Sequence, residues 1–373
     1  MRTPICERLG CQVPIFAFTH CRDVVVEVTK AGGYGVLGAL TYSPEQFETE
    51  LRWIDEHIGD RPYGVDIVIP NKYDKEAAKA AGPLKDLIPE QQRAFVREML
   101  DKAGIPPLPP GEEERIYEDY MARERNYTRE GAMKFIDVTL RHKKVNLVVS
   151  ALGAPPGNSV EEFHKRGILV GGMCGSPAHT RHHREAGVDL LIAQGTEAGG
   201  HTGTISTLVL VPQVVESAGG IPVLAAGGIS RGSHIAAALA LGAQGVWCGT
   251  IWLGTRESEL TEMEKRVLFR AKTDDAVIRR WMSGKTVRMI RSKASEAWEQ
   301  PGAPEPLMAP LQSILFNQAK ARIERAQRDD YCSFPAGQVA GTITRETTVR
   351  EIMYDFQKEY LDAMERMSGL LVK

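Results

Sequence analysis

The sequence has no run of apolar residues near the roughly eighteen that a membrane-crossing helix requires. Its six cysteines, Cys6, Cys11, Cys21, Cys174, Cys248 and Cys332, include no C-x-x-C pair. Cys6, Cys11 and Cys21 do not read as a metal site, and the set reads as reduced thiols and not as a disulfide framework. Neither sign of charge dominates: 46 Lys and Arg oppose 48 Asp and Glu, a net charge of −2, so nothing global favours nucleic acid or an anionic membrane as partner. No G-x-G-x-x-G follows the first strand-like segment, and low-complexity tracts are missing. Residues 1–10 carry Arg2, Glu7 and Arg8 and lack the apolar centre of a signal peptide, so a cytoplasmic location is expected.

What is present is a globular composition, 43% hydrophobic and 25% charged over 373 residues. Eight short aliphatic segments bounded by Gly, Pro or Asn read as strands: 13–18, 35–39, 63–69, 145–151, 168–172, 188–193, 222–226 and 245–249. They are nearly continuous in apolar residues, as parallel strands covered on both faces are. Segments 24–31, 44–58, 159–165, 177–186 and 233–241 repeat apolar residues at helical spacing. Eight alternations of strand and helix predict an α/β protein, a closed (β/α)8 or TIM barrel, over an open doubly wound sheet.

Two regions exceed a plain barrel. Residues 70–144 form an insertion after the third strand, with helices expected at 89–103 and 112–125 around the proline-rich stretch 105–110. It reads as a solvated insertion or as a lid or homodimer surface. Residues 257–373 read as a helical subdomain packed on a barrel of residues 1–256. Thr348 and Glu351 match a capping box, and Val349, Ile352, Met353, Phe356 and Tyr360 share one helical face.

In such barrels the working groups lie on loops after the strands, with phosphates often held after the seventh and eighth. Here those loops contain Gly227, Gly228 and Ser230, then Gly249 and Thr250. Glycine lets the backbone approach an oxyanion, and a helix start at Ser230 would add its dipole. After the sixth strand, Gln194 leads a glycine-rich loop with Glu197, Gly199, Gly200 and His201. A neutral imidazole there can take a proton near neutral pH. Gln194 offers a donor and an acceptor to a flat heterocycle. Whether Glu197 orients His201 is left open.

The run Gln194-Gly-Thr-Glu-Ala-Gly-Gly-His201, with Leu210-Val-Pro-Gln213, Ala225-Ala-Gly-Gly-Ile229, Leu241-Gly-Ala-Gln-Gly-Val-Trp-Cys-Gly-Thr250 and Ala336-Gly-Gln338, resembles the nitronate monooxygenase (2-nitropropane dioxygenase) family of FMN barrels. Residues 31–38 and 62–66 resemble family segments too. The resemblance implies FMN as cofactor and no metal. It implies that Gln194, Gly199 and Gly200 touch the flavin, that Gly227, Gly228, Trp247, Cys248, Gly249 and Thr250 hold its phosphate and ribityl chain, and that His201 is the base. Two segments bordering the flavin depart from the family pattern: Asp66 stands where Asn is usual, and Phe18, Thr19 and His20 replace Ala-Pro-Met. His20 thus becomes a second candidate catalytic residue.

The expected activity is oxidation of an alkyl nitronate by O2. The alternatives are NAD(P)H-dependent reduction of a quinone or conjugated C=C substrate, and non-redox lyase or isomerase chemistry on a phosphorylated metabolite. His179, His182 and His183 share a helical face and read as solvated, not as a zinc site. Asp274, Asp275, Arg279 and Arg280 read as surface pairs on one helix.

Overall fold

Strands that are apolar on both faces need cover on both, and the chain provides it by closing its sheet and wrapping it in helices. The computed structural model describes residues 1–69, 83–124, 129–151 and 153–371. In chain order the first half runs α1 (Pro4–Leu9), β1 (Ile15–Thr19), α2 (Arg22–Lys30), β2 (Tyr34–Gly38), α3 (Pro44–His57), β3 (Tyr63–Ile67), α4 (Glu90–Lys102), α5 (Glu112–Glu124), α6 (Arg129–Arg141), β4 (Val145–Ser150), α7 (Gly157–His164) and β5 (Leu169–Cys174). It continues with α8 (His179–Ala186), β6 (Leu190–Gln194), α9 (Thr207–Ser217), β7 (Val223–Ala226), α10 (Gly232–Ala240) and β8 (Gly245–Cys248). The remainder is α11 (Glu262–Arg270), β9 (Ala276–Arg279), β10 (Val287–Ile290), α12 (Lys293–Ala297), α13 (Leu311–Arg325) and α14 (Val349–Ser368). Strands β1 to β8 form a closed barrel of parallel neighbours, with β8 pairing back onto β1 through Phe16 and Trp247.

Three apolar cores follow from this. Phe16, Tyr34, Val36, Leu147, Leu190, Ile192 and Leu224 fill the barrel, and α1 plugs its lower end with Ile5, Cys6 and Leu9. The outward strand residues pack under the helices. The third core joins the insertion to the tail: Ile88, Val96, Met99, Leu100 and Ile105 pack with Met263, Trp281, Val287, Trp298, Ile314 and Phe334. Buried Arg322 fixes the start of the proline-rich stretch, donating to the carbonyls of Ile105 (2.6 Å) and Pro106 (3.0 Å) and pairing with Asp101 (2.7 Å).

The tail is not wholly helical. The β-branched residues of β9 and β10 pair as an antiparallel hairpin, which corrects the expectation of helix there. Asp274 and Asp275 lie in a 3-10 turn, and Arg279 is on β9 facing Glu296 (3.5 Å) and Glu299 (3.7 Å). The capping box at Thr348 forms as read from the sequence. Its helix, α14, seats Val349, Ile352, Met353 and Phe356 in the barrel's outer core, lying on α10 and α2 where the eighth helix of the ring belongs. The histidines of α8 need a correction: His183 is buried and donates from Nε2 to the Met173 carbonyl (3.1 Å). Helix α9, absent from the sequence reading, carries Pro212 inside it, which masks its helical pattern.

Phe356 is buried and meets Trp252 edge-on, with centroids 6.1 Å apart. Phe356→Ala should cost about 3–5 kcal/mol of stability, read as a lowered urea midpoint, whereas Tyr354→Ala on the exposed face should leave the midpoint in place. Equal shifts would contradict this seating of α14.

Candidate active site

Side chains alternate across a strand, so the registers fix which residues look into the barrel at its C-terminal rim. On β1, β3, β6 and β8 these are Phe18, Asp66, Gln194 and Trp247. Phe18 stacks on Trp247 (centroids 5.8 Å, planes 21° apart) and meets His20 edge-on (5.2 Å). His20 lies over Gly38 and donates from Nδ1 to its carbonyl (2.9 Å), which leaves Nε2 as an acceptor. Thr19 and Cys248 alternate the other way. Thr19 Oγ1 accepts from the Cys21 amide (3.0 Å), and Cys248 is buried under the helices, where burial pushes its thiol pKa up. These two residues offer the mouth only backbone.

The loop after β6 is held from outside the barrel. Gly200 exchanges both backbone hydrogen bonds with Arg288 of β10 (3.0 and 2.8 Å), adding a third strand position to the hairpin. Arg288, 7% exposed, donates from Nε to the Thr196 carbonyl (2.8 Å) and from a terminal nitrogen to that of Ala276 (2.6 Å). Burial holds this guanidinium below its ordinary pKa. A Cβ on Gly199 would sit 2.7 Å from the backbone of Ala336 and Gly337, so that side of the glycine is filled by the tail. His201 is exposed and donates from Nδ1 to the Thr286 carbonyl (3.0 Å), which fixes its tautomer and leaves Nε2 as an acceptor. Glu197 does not touch His201. Its carboxylate accepts from the Thr207 amide (3.0 Å) and hydroxyl (2.8 Å), capping α9. Arg288 and Thr286 were invisible in the sequence, because nothing local marks a residue that works on a loop ninety positions away.

The loops after β7 and β8 form a cradle of free donors. Gly227 and Gly228 take positive φ values of +96° and +74°, which a side chain would resist. Among the described residues the amides of Gly228 and Thr250 have no acceptor, and the Ser230 hydroxyl is buried without a partner. Thr250 Oγ1 accepts from the Gly337 amide (2.8 Å), so its own proton is available to donate. The helix dipole expected at Ser230 needs correction. Helix α10 starts at Gly232, and the Gly232 amide donates to Glu359 of α14 (2.8 Å), so its N-terminus is already capped by a carboxylate. The orphaned hydroxyl and amides suit a phosphate group.

Asp66 differs from its neighbours. It is 7% exposed, and burial pushes its pKa up to about 8. Among the described residues no hydrogen-bond donor or cation reaches its carboxyl. No group of acidic, histidine or cysteine side chains among them could hold a metal ion, and no helix is long and apolar enough to cross a membrane.

A closed parallel barrel that gathers an imidazole and an oxyanion cradle at its C-terminal mouth defines a barrel enzyme acting on a small molecule. This one is an oxidoreductase and belongs to the nitronate monooxygenase family, whose model matches residues 14–359. It is 42% identical over the full length of both chains to "Putative monooxygenase Rv1533" of Mycobacterium tuberculosis. It is 30% identical to a "Probable nitronate monooxygenase" of Staphylococcus saprophyticus, covering 73% of this chain and 72% of that one. Among solved structures its fold is similar to nitroalkane oxidase from Streptomyces ansochromogenes (TM-score 0.76, 24% identity, 97% and 99% of the chains covered). It is also similar to FabK from Thermotoga maritima (TM-score 0.73, 24% identity, full coverage of both).

Arg288→Met should open two buried carbonyls at about 1–3 kcal/mol each. The expected result is a lower unfolding midpoint with faster amide exchange across residues 196–201. Unchanged exchange there would show that the loop holds itself.

Proposed function

We propose that the protein is an FMN-dependent oxidoreductase that oxidises alkyl nitronates, or nitroalkanes through their nitronates, with O2 as electron acceptor. One observation carries the reading: His201, its tautomer fixed by the Thr286 carbonyl, shares the barrel mouth with unpartnered donors at Gly228, Ser230 and Thr250. Bound FMN supplies the redox chemistry. The Gly228 and Thr250 amides and the Ser230 and Thr250 hydroxyls bind its phosphate oxygens. Gln194 presents an amide to the ring edge, and Phe18 and Trp247 form an apolar floor that excludes water.

His201 Nε2 accepts the α-proton of a neutral nitroalkane; the C–H bond breaks and its electron pair delocalises onto the nitro group, giving the nitronate. Nδ1–H stays on the Thr286 carbonyl throughout, so the imidazolium formed is held in place. A substrate supplied as nitronate skips this step and does not need Nε2 as a base. Six free, buried cysteines suit a reducing, cytoplasmic setting.

The purified protein should show a flavin spectrum and consume O2 when given a nitronate. His201→Asn should reduce turnover of neutral nitroalkanes by about 10²–10⁴-fold while sparing preformed nitronate. Full nitroalkane turnover by the variant would remove His201 from the mechanism.

The described helices of the insertion favour a second reading, NAD(P)H-dependent reduction of a quinone or conjugated C=C bond. Helix α4 shares a core with the tail beside the barrel, added structure that would flank a longer substrate. Anaerobic mixing with NADH or NADPH separates the two. Rapid bleaching of the flavin supports the reductase, and an unchanged spectrum supports the monooxygenase.

A further inference from the structure

Asp66 is a rim residue whose chemistry the proposed mechanism leaves unused. Alternation on β3 points it into the barrel, between Gly38 of β2 and Val149 of β4 in register, and neither has a polar side chain. More than nine-tenths of the residue is buried. A buried carboxyl that no donor or cation among the described residues reaches is costly unless something that binds there completes it.

The titratable groups around it are few. On β2, Tyr34 lies two rungs lower and donates its hydroxyl to Asn146 (2.5 Å). His20, over Gly38, is committed through Nδ1 to the Gly38 carbonyl. Strand β4 brings no titratable side chain, and Lys134, Asp137 and Arg141 of α6 lie on the far, outer face of β3. None of these neutralises a charge on Asp66, so the group is best accommodated with its proton on.

We propose that Asp66 meets the bound flavin as a neutral carboxylic acid, donating its O–H to an acceptor on the ring edge, so that retention of the cofactor is coupled to pH. The inference rests on the FMN reading above. The isoalloxazine edge is mostly carbonyl oxygens and imine nitrogens, which accept, so an un-ionised acid complements it where a carboxylate would repel. Burial sets the loss of that proton at about pH 8. Above it the donor vanishes and a negative charge takes its place.

The test is titration of the apoprotein with FMN, followed by flavin fluorescence between pH 6.5 and 9.5. Riboflavin serves as a second probe, because it lacks the phosphate that ionises near pH 6. For the native protein Kd should be level to about pH 8 and then rise about tenfold per pH unit. Asp66→Asn keeps an N–H donor and cannot ionise, so its Kd should stay level across the range. A level native curve, or native and variant curves that rise together, overturns the proposal.

Stability supplies a readout independent of flavin. Folding raises this carboxyl above its unfolded value of about 3.9, so the stability it contributes is full below that pH and is lost as the pH climbs to about 8. The melting temperature of the native apoprotein should therefore fall relative to Asp66→Asn over that interval, and a constant difference overturns the neutral carboxyl. If the melting data behave as expected but FMN fails to bind at any pH, the FMN reading fails and takes the flavin contact with it, while the buried neutral acid stands.

Discussion

The site depends on a junction between two distant pieces of chain. The loop after β6 is rich in glycine and has little to hold it in one shape. Its shape comes from β10, which pairs with Gly200, and from the Arg288 guanidinium, which gathers carbonyls from both sides. The segment at Ala336 and Gly337 closes against Gly199, and Gly337 also ties Thr250 of the neighbouring loop into the same junction. The imidazole at His201 is oriented by a carbonyl on this borrowed hairpin. The barrel sets where the loop starts; the tail sets what it presents.

The same division explains the three cores. The barrel interior and its helical shell form a complete (β/α)8 unit only when α14 is counted in the ring. The insertion and the middle of the tail, separated by the fourth to eighth strands in sequence, find each other and bury Trp281, Trp298 and Met289 together. Arg322 joins them by satisfying the carbonyls at the start of a proline-rich stretch that has few amides of its own to offer. The loops after β6 and β8 touch the tail at Arg288 and Gly337, so the barrel mouth borders this body.

The strands were legible because each is short, apolar and bounded by breakers, and eight of them leave few topologies open. The rim histidine and the glycine loops were legible because position after a strand carries meaning in a barrel. Less visible was anything decided across the fold. Hairpin β9–β10 is four residues per strand, too short for a period to declare itself. Glu197, four residues before His201 in sequence, caps α9 through the Thr207 amide instead. Cys248 and Thr19 face the helices through strand alternation, a matter of register that a motif does not encode. Ser230 was read as the start of a helix, yet its unpartnered hydroxyl is the feature of interest.

The late arrival of α14 bears on biosynthesis. Strand β8 ends at Cys248 and the helix that walls it begins at Val349, so the sheet can close on the ribosome while one flank stands bare. Through that interval the faces of α2 and α10 that meet α14 lack their cover. A nascent chain in that condition is open to chaperone capture or to sticking to its own kind, and the speed at which the last segments are translated sets how long the exposure lasts.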